Sequence, residues 1–273
     1  DWGERLYSRK KNYDAQVLKG KADLTFGKLF PNDVEKIKRA TLPGTPSIYQ
    51  KDVKSNCLTF GDSHAISAWL EGSKCSRNDG MTLNGALERG FSPYIDAMNM
   101  DDFHILRLYM GNIDVRHHLL RLFPDVRTAV KEAEKLATKY VTHALAMKNK
   151  YRFTQVQIVS LLPIEHEARR LPKTGFYKGQ PFWGSAQERT QVRNAFNRRL
   201  KEINKQLGGF TIIDWPTEYQ HHTQLTVPAN EVSGTFKDYT EDITFEYGML
   251  RFDVMEKPHS VHVAPSFYLW SII

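Results

Sequence analysis

Cysteine is scarce, with only Cys57 and Cys75 in 273 residues. Two thiols build neither a disulfide framework nor a zinc-cysteine cluster, so reduced cysteines in a cytosol-like compartment are expected, with Cys57 buried in a strand. Long apolar runs are missing as well. None approaches the ~20 residues that cross a bilayer, so no membrane partner is expected. No secretory leader pattern opens the chain, and the expected location is cytoplasmic. Neither a phosphate loop nor a dinucleotide fingerprint occurs, and no cofactor or metal is expected. A negative excess is also lacking: Lys and Arg number 38 against 31 Asp and Glu, a net charge of +7 with a pI near 9.2. That balance favours anionic partners such as phosphate esters, nucleotides or nucleic acid. The 41% hydrophobic and 25% charged content suits a soluble globule with a full core.

What the chain does have is alternation. Residues 1–50 form a basic arm in which Arg5, Arg9, Lys10 and Lys11 mix with Trp2, Tyr7 and Tyr13. Its aromatics are expected to pack on the main domain; the alternative is a nucleic-acid grip by stacking and charge. A short helix is expected over Asn32–Ala40, and Leu42–Pro46 punctuates the boundary to a main domain spanning 51–273. Strands are expected at Cys57–Phe60, Met81–Leu87, Phe103–Met110, Val156–Leu162 and Phe210–Trp215. Helices are expected at His64–Leu70, Ser92–Met98, Asp125–Lys148 and Ala186–Leu207, the last with Val192, Phe196, Leu200 and Leu207 facing inward. Strands separated by helices pair in parallel through right-handed crossovers. The expected fold is therefore a three-layer α/β domain with a flavodoxin-like five-stranded sheet in the order 2-1-3-4-5. Residues 216–248 break the rhythm and read as a small β insertion, with short strands at 225–227, 234–236 and 243–245.

The chain is organised around Cys57–Leu70, where an apolar strand ends in Gly61-Asp62-Ser63-His64 and a helix follows at once. Such a junction holds a short polar side chain at the carboxyl end of a strand, where open α/β sheets bind ligands. Either Asp62 or Ser63 caps the helix, or Ser63 stands at the turn as a nucleophile. Parallel pairing brings this turn beside Gly111-Asn112-Ile113-Asp114-Val115-Arg116-His117-His118. A third segment, Pro258-His259-Ser260-Val261-His262, follows the insertion. A nucleophilic serine needs a base within hydrogen-bond reach and donors for an oxyanion, roles that Ser63, His262 and the Gly111/Asn112 region can fill. Arg116 at this edge either grips a phosphate or carboxylate with two prongs or forms a structural pair with Asp114. His221 and His222, in the insertion, are expected at the surface.

These blocks resemble the SGNH (GDSL-like) hydrolase superfamily, in the branch carrying Gly-Asp-Ser-His in the first block and Gly-x-Ile-Asp-x-Arg in the third. The chain is also similar to uncharacterised bacteriophage proteins with Gly-Asn-Ile-Asp-x-Arg-His-His, which would place it in a host cytoplasm. The resemblance covers roughly residues 55–125 and 255–265. It implies a serine hydrolase or acyl transferase acting on an ester, with an anionic carbohydrate or a nucleotide as substrate classes that suit the charge. It further implies Ser63 as nucleophile, His262 as general base, Asp62 beside them, and an oxyanion hole from the Ser63 and Gly85 amides. His64, Gly111, Asn112, Asp114 and Arg116 are the remaining candidate contacts. Two departures stand out. Asn112 comes one place early, with Ile113 in its slot, and His259 occupies the aspartate position of the final Asp-x-x-His block. The carboxylate that orients His262 must then come from Asp253, Glu256 or Asp114, or be absent.

Two other classes compete with a serine enzyme. The altered final block, the +7 charge and the basic arm fit a non-catalytic module that binds an anion or nucleic acid. Asp62-x-His64, Gly111-Asn112 and His259-x-x-His262 faintly resemble calcineurin-like metallophosphoesterases, but the Gly-Asp-x-x-Asp block and the closing Gly-His-x-His are missing.

Overall fold

The computed structural model describes residues 56–68, 74–78, 80–96, 103–165, 183–222, 225–227, 243–245, 248–251, 254, 262 and 263. The expected arm, its helix at 32–40 and the strand at 234–236 lie outside the described residues, as do His259, Asp253 and Glu256.

Five strands form one parallel sheet: β1 (Cys57–Gly61), β2 (Lys74–Arg77), β3 (Ile105–Tyr109), β4 (Gln155–Val159) and β5 (Thr211–Ile213). Their order is β2-β1-β3-β4-β5, the flavodoxin-like arrangement expected. The register aligns Phe60 with Leu108, and Leu108 with Ile158, so apolar side chains run across three strands on one face. On the other face Thr59 aligns with Arg107, and Arg107 with Gln157. Buried Arg107 is satisfied there: its Nε donates to Gln157 Oε1 at 2.8 Å and its Nη1 to the Ala68 carbonyl at 2.8 Å.

The helices are α1 (Leu83–Arg89), α2 (Ser92–Ile95), α3 (Leu119–Leu122), α4 (Val126–Tyr151) and α5 (Ala186–Leu207). Helix α4 begins where Asp125 accepts the Thr128 amide, and α5 where Ser185 and Glu188 form a reciprocal capping box. Three- and four-residue spacing buries Ala133, Leu136, Ala137, Tyr140, Val141 and Ala144 on α4, and Val192, Phe196, Leu200 and Ile203 on α5. These two helices pack together over the apolar face of the sheet. The opposite face carries the 3-10 turn Ala65–Ala68, whose Ala68 carbonyl meets Arg107. Both cysteines are free and buried, and burial pushes the Cys57 thiol up to about 11.

Several expectations are corrected. Residues 81–87, expected as a strand, belong mostly to helix α1, because Thr82 caps it and Leu83, Ala86 and Leu87 repeat at helical steps. The second strand is instead Lys74–Arg77, a polar edge strand paired with β1. The helix expected after Ser63 is only the 3-10 turn. Leu207 is 73% exposed, since as the last residue of α5 it lies past the sheet. His221 is buried, its backbone bonded to Met249 and Gly248. In the insertion the expected strands Leu225–Val227 (β6) and Ile243–Phe245 (β7) are present, and they pair antiparallel. Among the described residues no helix is long and apolar enough to cross a membrane.

Candidate functional site

The end of β1 is built around a close backbone approach. A Cβ on Gly61 would sit 1.9 Å from the Tyr109 carbonyl oxygen of β3, so only glycine fits. The chain then turns under Asp62. Its Oδ1 accepts the His64 amide at 2.8 Å, its carbonyl accepts the Ala65 amide at 3.0 Å, and its own amide donates to Tyr109 O at 3.2 Å. Asp62 is therefore the cap, and this leaves the Ser63 side chain free of capping duty.

Ser63 Oγ lies 3.0 Å from His262 Nε2, a contact that spans 199 positions of sequence. His64 flanks the pair, with Nδ1 3.4 Å from Ser63 Oγ and 3.0 Å from Asp62 Oδ1. The two imidazoles lie face to face at an angle, with ring centroids 4.5 Å apart. A carboxylate only accepts, so the Asp62 contact places a proton on His64 Nδ1. His64 Nδ1 then cannot take the serine proton, which leaves His262 Nε2 as the other ring nitrogen beside Ser63 Oγ. Asp62, His64 and Ser63 are fixed by one tight turn, and the expected Ser63–His262 juxtaposition is present. No hydrogen bond among the described residues joins Asp62 to His262.

The second edge of the site begins at Gly111, whose φ of +109° needs glycine, and runs into a wide π-helical turn at Asp114–His118. That turn aims Asp114 at the start of α1, where it accepts the Leu83 amide at 2.7 Å and the Asn84 amide at 3.1 Å. Burial pushes the Asp114 carboxyl up to about 6 against the pull of those amides, with the Asp62 charge adding to the rise. Both Asp114 oxygens are occupied by helix α1, which removes it from the candidates for orienting His262. Asn112 gives Oδ1 to Arg116 Nη1 at 3.0 Å, and its buried Nδ2 has no acceptor.

Arg116 corrects the expectation of an anion contact. It is fully buried and its Nε donates to Glu165 Oε2 at 2.7 Å. Its Nη1 donates to Asn112 and its Nη2 to the Pro163 carbonyl at 3.4 Å. The guanidinium thus ties the turn after β3 to the segment after β4, with all of its named partners inside the protein. Gly85 is corrected too: its amide already donates to the capping Thr82 Oγ1 at 3.1 Å, and so is not available to an oxyanion at Ser63. His117 is buried, and His118, half-buried, borders a cavity of about 300 Å³ with Asp114 and Phe123. Among the described residues, no three His, Cys, Asp or Glu side chains converge as a metal-ligand set.

The sequence reading missed Glu165 and Tyr109. Glu165 follows β4 at the sheet's carboxyl edge, where only its charge in an apolar run marked it. The Tyr109 ring touches His64 (6.1 Å) and Trp215 (5.7 Å), joining the serine turn to the end of β5.

No family model and no curated protein matches this chain. Among solved structures it is similar to a phospholipase A1 from Streptomyces albidoflavus NA297, at 11% identity and a TM-score of 0.35. That match covers 57% of this chain and 77% of the other. It is also similar to a Streptococcus pneumonia protein described as a candidate platelet activating factor, at 16% identity and a TM-score of 0.37, covering 73% and 79%. Neither likeness is close enough to assign a family.

Proposed function

We propose that the protein is a serine hydrolase acting on esters, with Ser63 as nucleophile and His262 as general base. The observation that carries this reading is the 3.0 Å contact between Ser63 Oγ and His262 Nε2. That distance is the one a base needs to remove the hydroxyl proton as the oxygen attacks a carbonyl.

Ser63 Oγ adds to the ester carbonyl while His262 Nε2 takes its proton. The tetrahedral intermediate collapses, the C–O bond to the alcohol breaks, and His262 returns the proton to the departing oxygen. Water then attacks the acyl-serine with His262 again as base, releasing the acid and restoring Ser63. With an alcohol in place of water the same steps transfer the acyl group. Asn112, at the end of the neighbouring strand with its buried Nδ2 unpaired, is the side-chain donor we assign to the developing oxyanion. Asp62 and His64 hold the turn that presents Ser63, and their contact keeps His64 from competing as the base.

The test is hydrolysis of short-chain p-nitrophenyl esters by the full chain. Ser63→Ala should reduce turnover to the uncatalysed rate with an unchanged melting temperature, and His262→Ala should lower kcat by about 10²–10⁴. Turnover that survives Ser63→Ala and falls with a chelator would favour a metal-dependent phosphoesterase instead.

A further inference from the structure

A second concave surface lies on the same edge of the sheet, between helix α5 and the segments that follow β4 and β5. It is a groove of about 520 Å³ whose inner wall includes Ser160, Trp215 and Arg193. Arg193 is 92% buried by its neighbours, with 8% of its surface exposed. Its Nε donates to the Leu161 carbonyl at 2.9 Å and its Nη1 to Asn194 Oδ1 at 2.8 Å. Both partners are neutral. No carboxylate among the described residues pairs with this guanidinium, and its Nη2 donates to nothing. Burial pushes Arg193 down to about 10, so it is still cationic at neutral pH.

Of the groove's other three cations, Lys205 is exposed to solvent and two are ion-paired. Arg198 is held by Glu134 at 2.7 Å, and Lys201 by Asp214 at 2.8 Å. The free Nη2 is not sealed from solvent, so it is the prong of Arg193 that a bound counter-ion can reach, and that ion supplies the missing opposite charge. The planar fork of arginine suits an oxyanion. We propose that this groove is an oxyanion-binding site, with Arg193 as its central ligand, for the phosphate or carboxylate head of a small molecule whose body lies along α5.

Its position suggests what the ligand is for. Trp215 on the groove wall touches Tyr109, and Tyr109 touches His64 beside Ser63, so a line of ring contacts runs from the groove to the serine turn. If the ligand is the ester substrate, that substrate is anionic, and this last step rests on the serine reading. The role first expected of Arg116 then falls to Arg193, reached from the end of β4 rather than β3.

Binding is measured on full-length Ser63→Ala protein by calorimetry with inorganic phosphate and with acetate at constant ionic strength, so no turnover is involved. Saturable binding of either anion is expected, and which binds tighter distinguishes a phosphate from a carboxylate head. Arg193→Gln should weaken it about tenfold or more, the scale of one charge-assisted hydrogen bond. Asp214→Asn, an exposed change that need not disturb the core, should tighten it, because the Asp214 charge acts on Arg193. Lys139→Gln, at the separate cavity beside His118, should change nothing. Absence of saturable binding, or binding unmoved by both Arg193→Gln and Asp214→Asn, overturns the site. Loss of esterase activity in Ser63→Ala speaks only to the serine reading, so the two fail separately.

Discussion

Replacing Arg116 should destabilise the fold rather than weaken a ligand. The guanidinium is buried to 2% exposure, Glu165 to 1%, and their Nε–Oε2 separation is 2.7 Å. Removing one partner of such a pair strands the other charge in the interior, at about 3–5 kcal/mol. Arg116→Met should therefore cost about that much, with the donors to Asn112 and Pro163 lost as well. Glu165→Met should cost a similar amount by stranding the guanidinium. The double variant Arg116→Met/Glu165→Met removes both charges of this pair, with buried Arg189 remaining nearby, and should be less harmful than the sum of the single losses by about 2 kcal/mol or more. Urea unfolding of the four proteins closes the cycle. The pH dependence has a definite sign. Burial alone would raise the Glu165 carboxyl, but the Arg116 and Arg189 charges outweigh it and hold it below its ordinary 4.5. Its contribution is thus full above pH 4.5 and is lost as pH falls through the lower folded value. An Arg116→Met loss under 1 kcal/mol, or additive single losses, would refute the reasoning.

Gly61→Ala places a methyl 1.9 Å from the Tyr109 carbonyl oxygen, between two main chains that cannot both stay in register. We expect a loss of about 2–4 kcal/mol by chemical denaturation, combining overpacking with the Asp62–Tyr109 bond; a loss under 1 kcal/mol contradicts the close approach. Asp114 works in the opposite pH direction to Glu165. Its folded pKa of about 6 lies above 3.8, so its contribution to stability is full below pH 3.8 and is lost as pH rises through 6, by about 3 kcal/mol at most. Asp114→Asn should flatten the pH 4–6 stability slope, and an unchanged slope would assign it to another group.

The sheet was legible where strands are apolar and buried. Cys57–Gly61, Ile105–Tyr109 and Gln155–Val159 carry that pattern, and the helices between them dictate the strand order. Lys74–Arg77 was not legible, because an edge strand of Lys-Cys-Ser-Arg has neither alternation nor β-branched residues to mark it. Nor was the period of residues 81–87, where Met81, Leu83 and Leu87 fit a strand until Thr82 and Asp114 fix a helix start. At the site, Gly61 and Ser63 showed themselves through local turn chemistry, and His262 through its place in a late block. The partner of Arg116 did not, since Glu165 lies 49 residues away and only tertiary packing brings it near. The same holds for Arg193, which sequence alone places on the inner half of a helix without showing that its charge is left unmatched.

The most direct measurement of the central claim is covalent labelling of the full chain with a fluorophosphonate, read by peptide mass spectrometry. A serine hydroxyl becomes reactive toward this reagent only when a positioned base removes its proton. The account predicts one modified residue, Ser63, with labelling slowed about 10²–10⁴-fold in His262→Ala and abolished by denaturation. Modification elsewhere, or equal labelling of Ser63 with and without His262, would contradict it.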